Sequence, residues 1–249
     1  MPRNVLVTGA NRGIGLELAR QLLARGDHVV AACRQPGKAT ALNALAAEHP
    51  GRLHVLPLDV ASARSRAELV RELPLVLGDD ARLDWLVNNA GVLHSGERFG
   101  HVEEAILEDS LRVNAIGPFL LAQALAPMLA EGGRIANLST IMASIASRTE
   151  FRSPSYSASK AALNMLTVQL ARALEQTRND RASAAARVAL DRARTPVERA
   201  NALYVLARQL DRSSRQRDAL AVYDAAIALA PVEAAVKRRD ELKRIVAFR

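Results

Sequence analysis

The chain has 249 residues, 49% of them hydrophobic and 24% charged, with a formal net charge of +8 and one cysteine. This is enough for one large α/β domain, or a smaller one with an appendage, and it excludes a disulfide framework and a zinc site built on several thiolates. The charge does not describe a nucleic-acid surface: residues 1–178 hold 19 Lys and Arg against 17 Asp and Glu, a net of +2, and residues 179–249 hold 15 against 9, a net of +6, mixed with acids and without interleaved aromatics.

Met1-Pro2-Arg3-Asn4 leads straight into an apolar run rather than a secretory signal, and no run is long enough for a bilayer span, so a cytoplasmic location without membrane contact is expected. The run at 4–7 predicts a short buried strand. An amphipathic helix follows over 14–25, ended by Gly26. A second strand is expected at 28–33, a helix at 39–48, a third strand at 53–58, and a helix over 67–77 broken near Pro74. A strand at 83–87 precedes a long helical stretch over 103–129, interrupted near Gly117-Pro118. A fifth strand at 134–138 precedes a helix over 157–174. Such alternation predicts a parallel, doubly wound α/β sheet covered on both faces. Glycine then stops: all 13 lie at or before Gly133, and the last 116 residues have none. Strand–helix turns need glycine, so a domain boundary is expected near 175–180, with 1–178 as one domain and 179–249 as a helical tail.

Thr8-Gly9-Ala10-Asn11-Arg12-Gly13-Ile14-Gly15 lies between the first strand and the first helix. Glycines let backbone approach a pyrophosphate closely, and a helix N-terminus supplies free N–H groups and the positive end of a dipole. Leu58-Asp59-Val60 ends the third strand and Asn88-Asn89-Ala90-Gly91 the fourth. Arg34 follows the second strand, after Ala31-Ala32-Cys33. The guanidiniums of Arg12 and Arg34 suit a phosphate, though an exposed strand end explains Arg34 as well. Tyr156-Ser157-Ala158-Ser159-Lys160 puts a phenol and an ammonium on one face of a helix. A free phenol has a pKa of about 10, too high to exchange protons readily near neutrality, and a neighbouring cation lowers it. An exposed Tyr and Lys with no joint role is the plainer alternative.

In this order the motifs resemble the short-chain dehydrogenase/reductase family over about residues 3–174. T-G-x-x-x-G-[IL]-G is that family's cofactor turn and Y-x-x-x-K its catalytic pair. The stretch 137–142, with the longer loop before Tyr156, resembles its carbonyl-reductase and sniffer-like branch. The resemblance implies a Rossmann-like fold and hydride transfer between NADP(H) and a small-molecule carbonyl (aldehyde, ketone or quinone) or the matching alcohol. It implies that Gly9, Asn11, Arg12, Gly13, Ile14 and Gly15 form the cofactor turn. Arg12 and Arg34 would select a 2′-phosphate, where an acid would bind a ribose 2′-OH. Asp59 and Val60 would meet the adenine, and Asn88, Ala90 and Gly91 would line the cofactor. Tyr156 becomes the acid/base and Lys160 the group that tunes it. Asn114 becomes a proton relay, or else a mid-helix Asn with a satisfied local bond. The family's N-[IV]-S-S reads Asn137-Leu138-Ser139-Thr140 here, so Thr140 binds the substrate oxygen by register, with Ser139 the other candidate. A homodimer through the helices 103–129 and 157–174 is also implied.

A family member continues into a sixth strand ending in Pro-Gly, a segment over the substrate and a seventh strand. Residues after 174 contain no Pro-Gly and no strand-like run. The sheet is therefore expected to be truncated after the fifth strand and its following helix, with an all-α C-terminal segment. Starting a tetratricopeptide unit at Ala200 sets Leu206, Ala207, Ala219, Tyr223, Ala226 and Pro231 on its signature positions, with Leu203 where Trp is usual. It predicts helices over 196–210 and 216–229. A generic helical hairpin is the alternative, and either could meet a protein partner. Two functions stay open: an oxidoreductase, or a nucleotide-binding or scaffold protein that has lost turnover and uses its tail for interaction.

Overall fold

The computed structural model describes residues 2–78, 82–212, 215–230 and 232–247, with backbone alone at 179–183 and 247. The chain divides into two compact units, Met1–Leu170 and Ala171–Arg249.

The first unit is a five-stranded parallel sheet in the order β3-β2-β1-β4-β5, formed by β1 (Asn4–Thr8), β2 (His28–Cys33), β3 (Leu53–Pro57), β4 (Leu83–Asn88) and β5 (Leu129–Asn137). The helices are α1 (Gly13–Ala24), α2 (Thr40–Glu48), α3 (Ala63–Leu77), α4 (Glu104–Leu111), α5 (Gly117–Leu125) and α6 (Pro154–Arg192). β1 is central and its Val5, Leu6 and Val7 are fully buried. Val5 and Val7 join Ala19, Leu22, Leu23, Leu42 and Leu45 in one core, and Leu6, pointing the opposite way in the pleat, is buried on the other face. That two-sided burial is why β1 reads as an unbroken apolar run. The strand order reverses between β1 and β4, so a crevice opens at the C-terminal ends of these two strands.

Several elements differ from the sequence expectation for local reasons. Pro74 does not break its helix: it falls in the last turn of α3, behind the fully buried Leu73, and Gly78 closes the helix by donating its N–H to the Pro74 carbonyl at 2.8 Å. The stretch 103–129 is interrupted earlier than expected, by a π turn at Arg112–Ile116. Pro118 has no N–H to offer the Asn114 carbonyl four residues before it, and Gly117 donates to Arg112 instead. The stretch ends at a 3-10 turn, Ala126–Met128, because β5 already starts at Leu129. Regular pairing of β5 begins only at Arg134, opposite Trp85, after Gly132 and Gly133 loop out.

The second unit is all-α. α6 enters it and runs unbroken to Arg192, past residues 175–180. It is followed by α7 (Pro196–Arg212), α8 (Gln216–Leu229) and α9 (Glu233–Ala247). α7 opens on a capping box: Glu198 N–H donates to Thr195 Oγ1, and the Glu198 carboxylate accepts the N–H groups of Arg194 and Thr195. Ala207, Ala219, Tyr223, Ala235 and Leu242 form its core, and Arg238 pairs with Asp211 at 2.7 Å. Ala200, Leu206, Ala207, Ala219, Tyr223 and Ala226 are all buried, as a helical hairpin of either kind requires. Pro231 lies outside the described residues. Among the described residues no helix is long and apolar enough to cross a membrane, and no cluster of His, Cys, Asp and Glu has the makings of a metal site.

Candidate active site

The crevice at the end of β1 is a cleft of about 810 Å3 walled by four strand ends. The turn after β1 gives Gly9, Asn11, Arg12, Gly13 and Ile14. Cys33 ends β2, and Arg34, Gln35 and Lys38 follow it. Leu58, Asp59 and Val60 follow β3, and Asn89, Ala90, Gly91 and Val92 follow β4.

Side-chain bonds sew the ends of β1 and β4 together. Thr8 Oγ1 accepts the N–H groups of Asn89 and Ala90, and Asn89 Nδ2 donates to the carbonyls of Thr8 and Gly9. The closeness leaves no room for larger residues. A Cβ on Gly9 would sit 2.8 Å from Ala90 Cα, and one on Gly15 would sit 2.4 Å from both Asn89 Nδ2 and the Gly9 carbonyl. Backbone thus forms the cleft floor, with the N-terminus of α1 opening into it, as a bound pyrophosphate requires. Gly15 itself is buried beneath the turn and does not line the cleft. Asn88 also stays out of it. Its amide donates to Asn137 Oδ1, Asn137 donates to Thr167 Oγ1, and Thr167 to the Leu163 carbonyl, which ties β4 and β5 to α6.

The cleft rim carries three exposed cations, Arg12, Arg34 and Lys38, and none of them is in an ion pair among the described residues. Lys38 is the one sequence reasoning missed: it returns to the cleft through the 3-10 turn Pro36–Lys38, for which the Pro36-Gly37 pair was the available signal. Asp59 is the only carboxylate on the wall among the described residues, and it already accepts the Ala61 N–H at 3.0 Å. Beneath it, buried Arg66 donates to the Val60 carbonyl at 2.6 Å. Burial lowers the Arg66 pKa, and the Asp59 charge opposes that shift.

Gly91 joins the cleft to the catalytic candidates. A Cβ there would meet Asn114 Oδ1 at 3.0 Å and Lys160 Nζ at 3.7 Å. Asn114 is fully buried in the π turn. It accepts Val92 N–H and donates to the Val92 carbonyl, both at 2.8 Å, and to Ser159 Oγ at 3.0 Å. Lys160 is buried and donates to the Leu138 carbonyl at 2.7 Å, and burial pushes its pKa down. Its Nζ lies 5.9 Å from the ring centroid of half-buried Tyr156, one helical turn earlier. Ser139 and Thr140 have separate engagements. Ser139 is exposed and donates to Asn164 Oδ1 at 2.7 Å, whereas half-buried Thr140 accepts Met142 N–H at 3.2 Å and keeps its own proton uncommitted among the described residues.

The family model for short chain dehydrogenases matches residues 3–187. L-xylo-3-hexulose reductase of Hypocrea jecorina is 32% identical over 191 residues, covering 69% of this chain and 62% of the reductase. Carbonyl reductase Sniffer of D. melanogaster superposes with a TM-score of 0.65 at 32% identity, over 70% of this chain and 76% of that one. The NADPH-bound carbonyl reductase from chicken fatty liver superposes with a TM-score of 0.62 at 36% identity, over 67% and 71%. The chain spans about 62% of the length of the curated relatives it matches.

Proposed function

The chain belongs to the short chain dehydrogenase family, whose members use nicotinamide cofactors, and on that premise we propose that it is an NADP(H)-dependent oxidoreductase that reduces a carbonyl, or oxidises the matching alcohol, with Tyr156 as acid/base. The observation that carries this reading is the junction at Gly91, which lines the cleft and whose Cβ position lies against the buried Asn114–Lys160 cluster. The glycine turn fits a pyrophosphate, because Gly9 and Gly13 present bare backbone to the cleft and a Cβ on Gly13 would project into open space. Preference for NADP(H) is supported by Arg12, Arg34 and Lys38 on the rim, which have no ion-pair partner among the described residues, and by the NADPH-bound state of the chicken relative. A bound nicotinamide would supply, or take up, the hydride at the carbonyl carbon.

The chain's own residues handle the proton. Tyr156 donates its phenolic hydrogen to the developing alkoxide, or accepts it in reverse. The Lys160 ammonium, held by the Leu138 carbonyl, favours the resulting phenolate. Asn114 fixes the loop after β4 and the first turns of α6 through Val92 and Ser159. Thr140, with its proton free to donate, orients the substrate oxygen better than Ser139, whose proton goes to Asn164. A homodimer is supported by exposed Ile116, Met165 and Val168 on the helices expected to mediate it, and a tetratricopeptide-like role for α7 and α8 by their buried signature positions.

The test is NADPH oxidation with a panel of aldehydes, ketones and quinones. Wild-type protein should turn over, Tyr156→Phe and Thr140→Val should not, and Ser139→Ala should remain active. Folded protein without turnover rejects the reading. One observation favours the second reading, a nucleotide-binding scaffold without turnover: among the described residues, only helices follow β5. A thermal shift with NADPH and no oxidation of it would support that alternative.

A further inference from the structure

The segment 89–103 between β4 and α4 has no regular structure, yet side chains fix it at four points. Val92 is held by Asn114, and His94 contacts Asp109 at 2.9 Å; both tie the segment to the helical stretch that follows it. The other two reach the chain that opens α6. Phe99 packs edge-to-face on Phe151 with centroids 5.7 Å apart, and Glu97 Oε1 accepts the hydroxyl hydrogen of Ser155. Ser155 is fully buried, is the second residue of α6 and directly precedes Tyr156.

Two features make the Glu97–Ser155 contact more than a loop bond. The first is the backbone on which it acts. Ser153, just ahead of Pro154, has φ 45°, the only positive φ at a non-glycine among the described residues. A residue before proline favours an extended conformation, so the entry to α6 is strained and must be held by its surroundings. The second is the carboxylate itself. Its other oxygen, Oε2, is buried and has no hydrogen-bond partner among the described residues. A buried acceptor left unmet is unfavourable, which makes the bond from Ser155 the main polar contact holding the side chain inside. The first N–H groups of α6, which lack helical acceptors, favour a negative charge near them.

We propose that Glu97 is a positioning residue: by holding Ser155 it pins the strained first turn of α6, and so sets where the Tyr156 phenol stands relative to Lys160 and the cleft. This rests on the reading of Tyr156 as acid/base. Small displacements of a reacting group are enough to matter, since about 1 Å of misplacement lowers rates by up to about a hundredfold.

The test uses the full chain with Glu97→Ala, Glu97→Gln, Ser155→Ala and the double variant Glu97→Ala/Ser155→Ala. Glu97→Ala and Ser155→Ala should each lower kcat by about tenfold to a hundredfold, with the KM for NADPH within about twofold of wild type. Glu97→Gln keeps an acceptor for Ser155 and should restore most of kcat. The double variant should be no slower than the slower single one, because both changes break one contact. Hydrogen exchange over 154–160 should quicken in Glu97→Ala and not in Glu97→Gln. Wild-type kcat and exchange in Glu97→Ala overturn the proposal, and so do additive losses, or a fall in kcat without faster exchange. If wild-type turnover does not depend on Tyr156, the acid/base reading fails by itself, and the exchange comparison still decides whether Glu97 pins the helix.

Discussion

Replacing Gly15 by alanine tests the cofactor turn most sharply. The added Cβ would lie 2.4 Å from Asn89 Nδ2 and from the Gly9 carbonyl, and 3.0 Å from Ala10 Cα. Two of these three atoms are backbone in the turn that has to move, so the overpacking cost belongs at the upper end of about 1–3 kcal/mol. Alanine's better helix propensity returns about 1 kcal/mol, which leaves a net loss of about 2 kcal/mol. The clash also displaces the Asn89 amide that holds Thr8 and Gly9, so NADPH affinity should fall along with stability. Two further glycines calibrate the experiment. Gly13 has open space but φ 54°, so Gly13→Ala should cost roughly 1–2 kcal/mol of backbone strain. Gly37 has open space and no positive φ, so Gly37→Ala should stay within about 0.5 kcal/mol of wild type. The single tryptophan, Trp85 on β4, reports urea unfolding of this unit by fluorescence, and a titration with NADPH reports binding. If Gly15→Ala matches Gly37→Ala in both measurements, the turn is not packed as described and the cofactor assignment loses its footing.

Arg34→Glu should lower kcat/KM for NADPH by about tenfold to a hundredfold, from loss of a charge-assisted bond and gain of repulsion, while NADH gains; unchanged preference in steady-state kinetics would remove Arg34 from the 2′-phosphate site. Burial lowers the Lys160 pKa from its ordinary 10.5, so between the lowered value and 10.5 the unfolded chain binds more protons than the native one. Stability must therefore rise with pH across that window. Urea unfolding at neutral pH and at about pH 10 should show this rise in wild type and lose it in Lys160→Met. In the second unit Tyr223 is fully buried, its hydroxyl has no hydrogen-bond partner among the described residues, and burial pushes its pKa up to about 12. The native state there holds the proton longer than the unfolded one, so stability falls as pH climbs from 10 towards 12. Tyr223→Phe should abolish that fall and, by removing an unmet buried group, be neutral or stabilising by about 1 kcal/mol in thermal melts followed by helical circular dichroism.

The sheet was legible because its signals are local. An unbroken apolar run means a strand buried on both faces, and a glycine turn between strand and helix means a phosphate-shaped corner; both are written in adjacent residues. The placement of Tyr156 and Lys160 one turn apart on a helix was legible for the same reason. What stayed hidden depends on distant or upstream partners. The π turn holds Asn114 and lies just upstream of the Gly117-Pro118 pair at which the sequence places the interruption. Lys38 reaches the cleft only because a 3-10 turn folds back after β2. Glu97 sits in a segment without periodicity, and its partner Ser155 is 58 residues away. The difference between Ser139 and Thr140 shows only when the Ser139 hydroxyl is seen to donate to Asn164 Oδ1. The length of α6 was hidden in another way: the change in composition near 175–180 brings no helix breaker, so the backbone continues to Arg192.

The central claim is that the junction at Gly91 brings a hydride source and the Tyr156 proton to one carbonyl. The most direct measurement uses NADPH deuterated at the transferring position of the nicotinamide, with mass spectrometry of the alcohol formed from a reactive carbonyl. Wild-type protein should give alcohol carrying the label at the former carbonyl carbon, and Tyr156→Phe should bind the cofactor yet give almost none. Folded, NADPH-binding wild-type protein that yields no labelled alcohol would contradict the account.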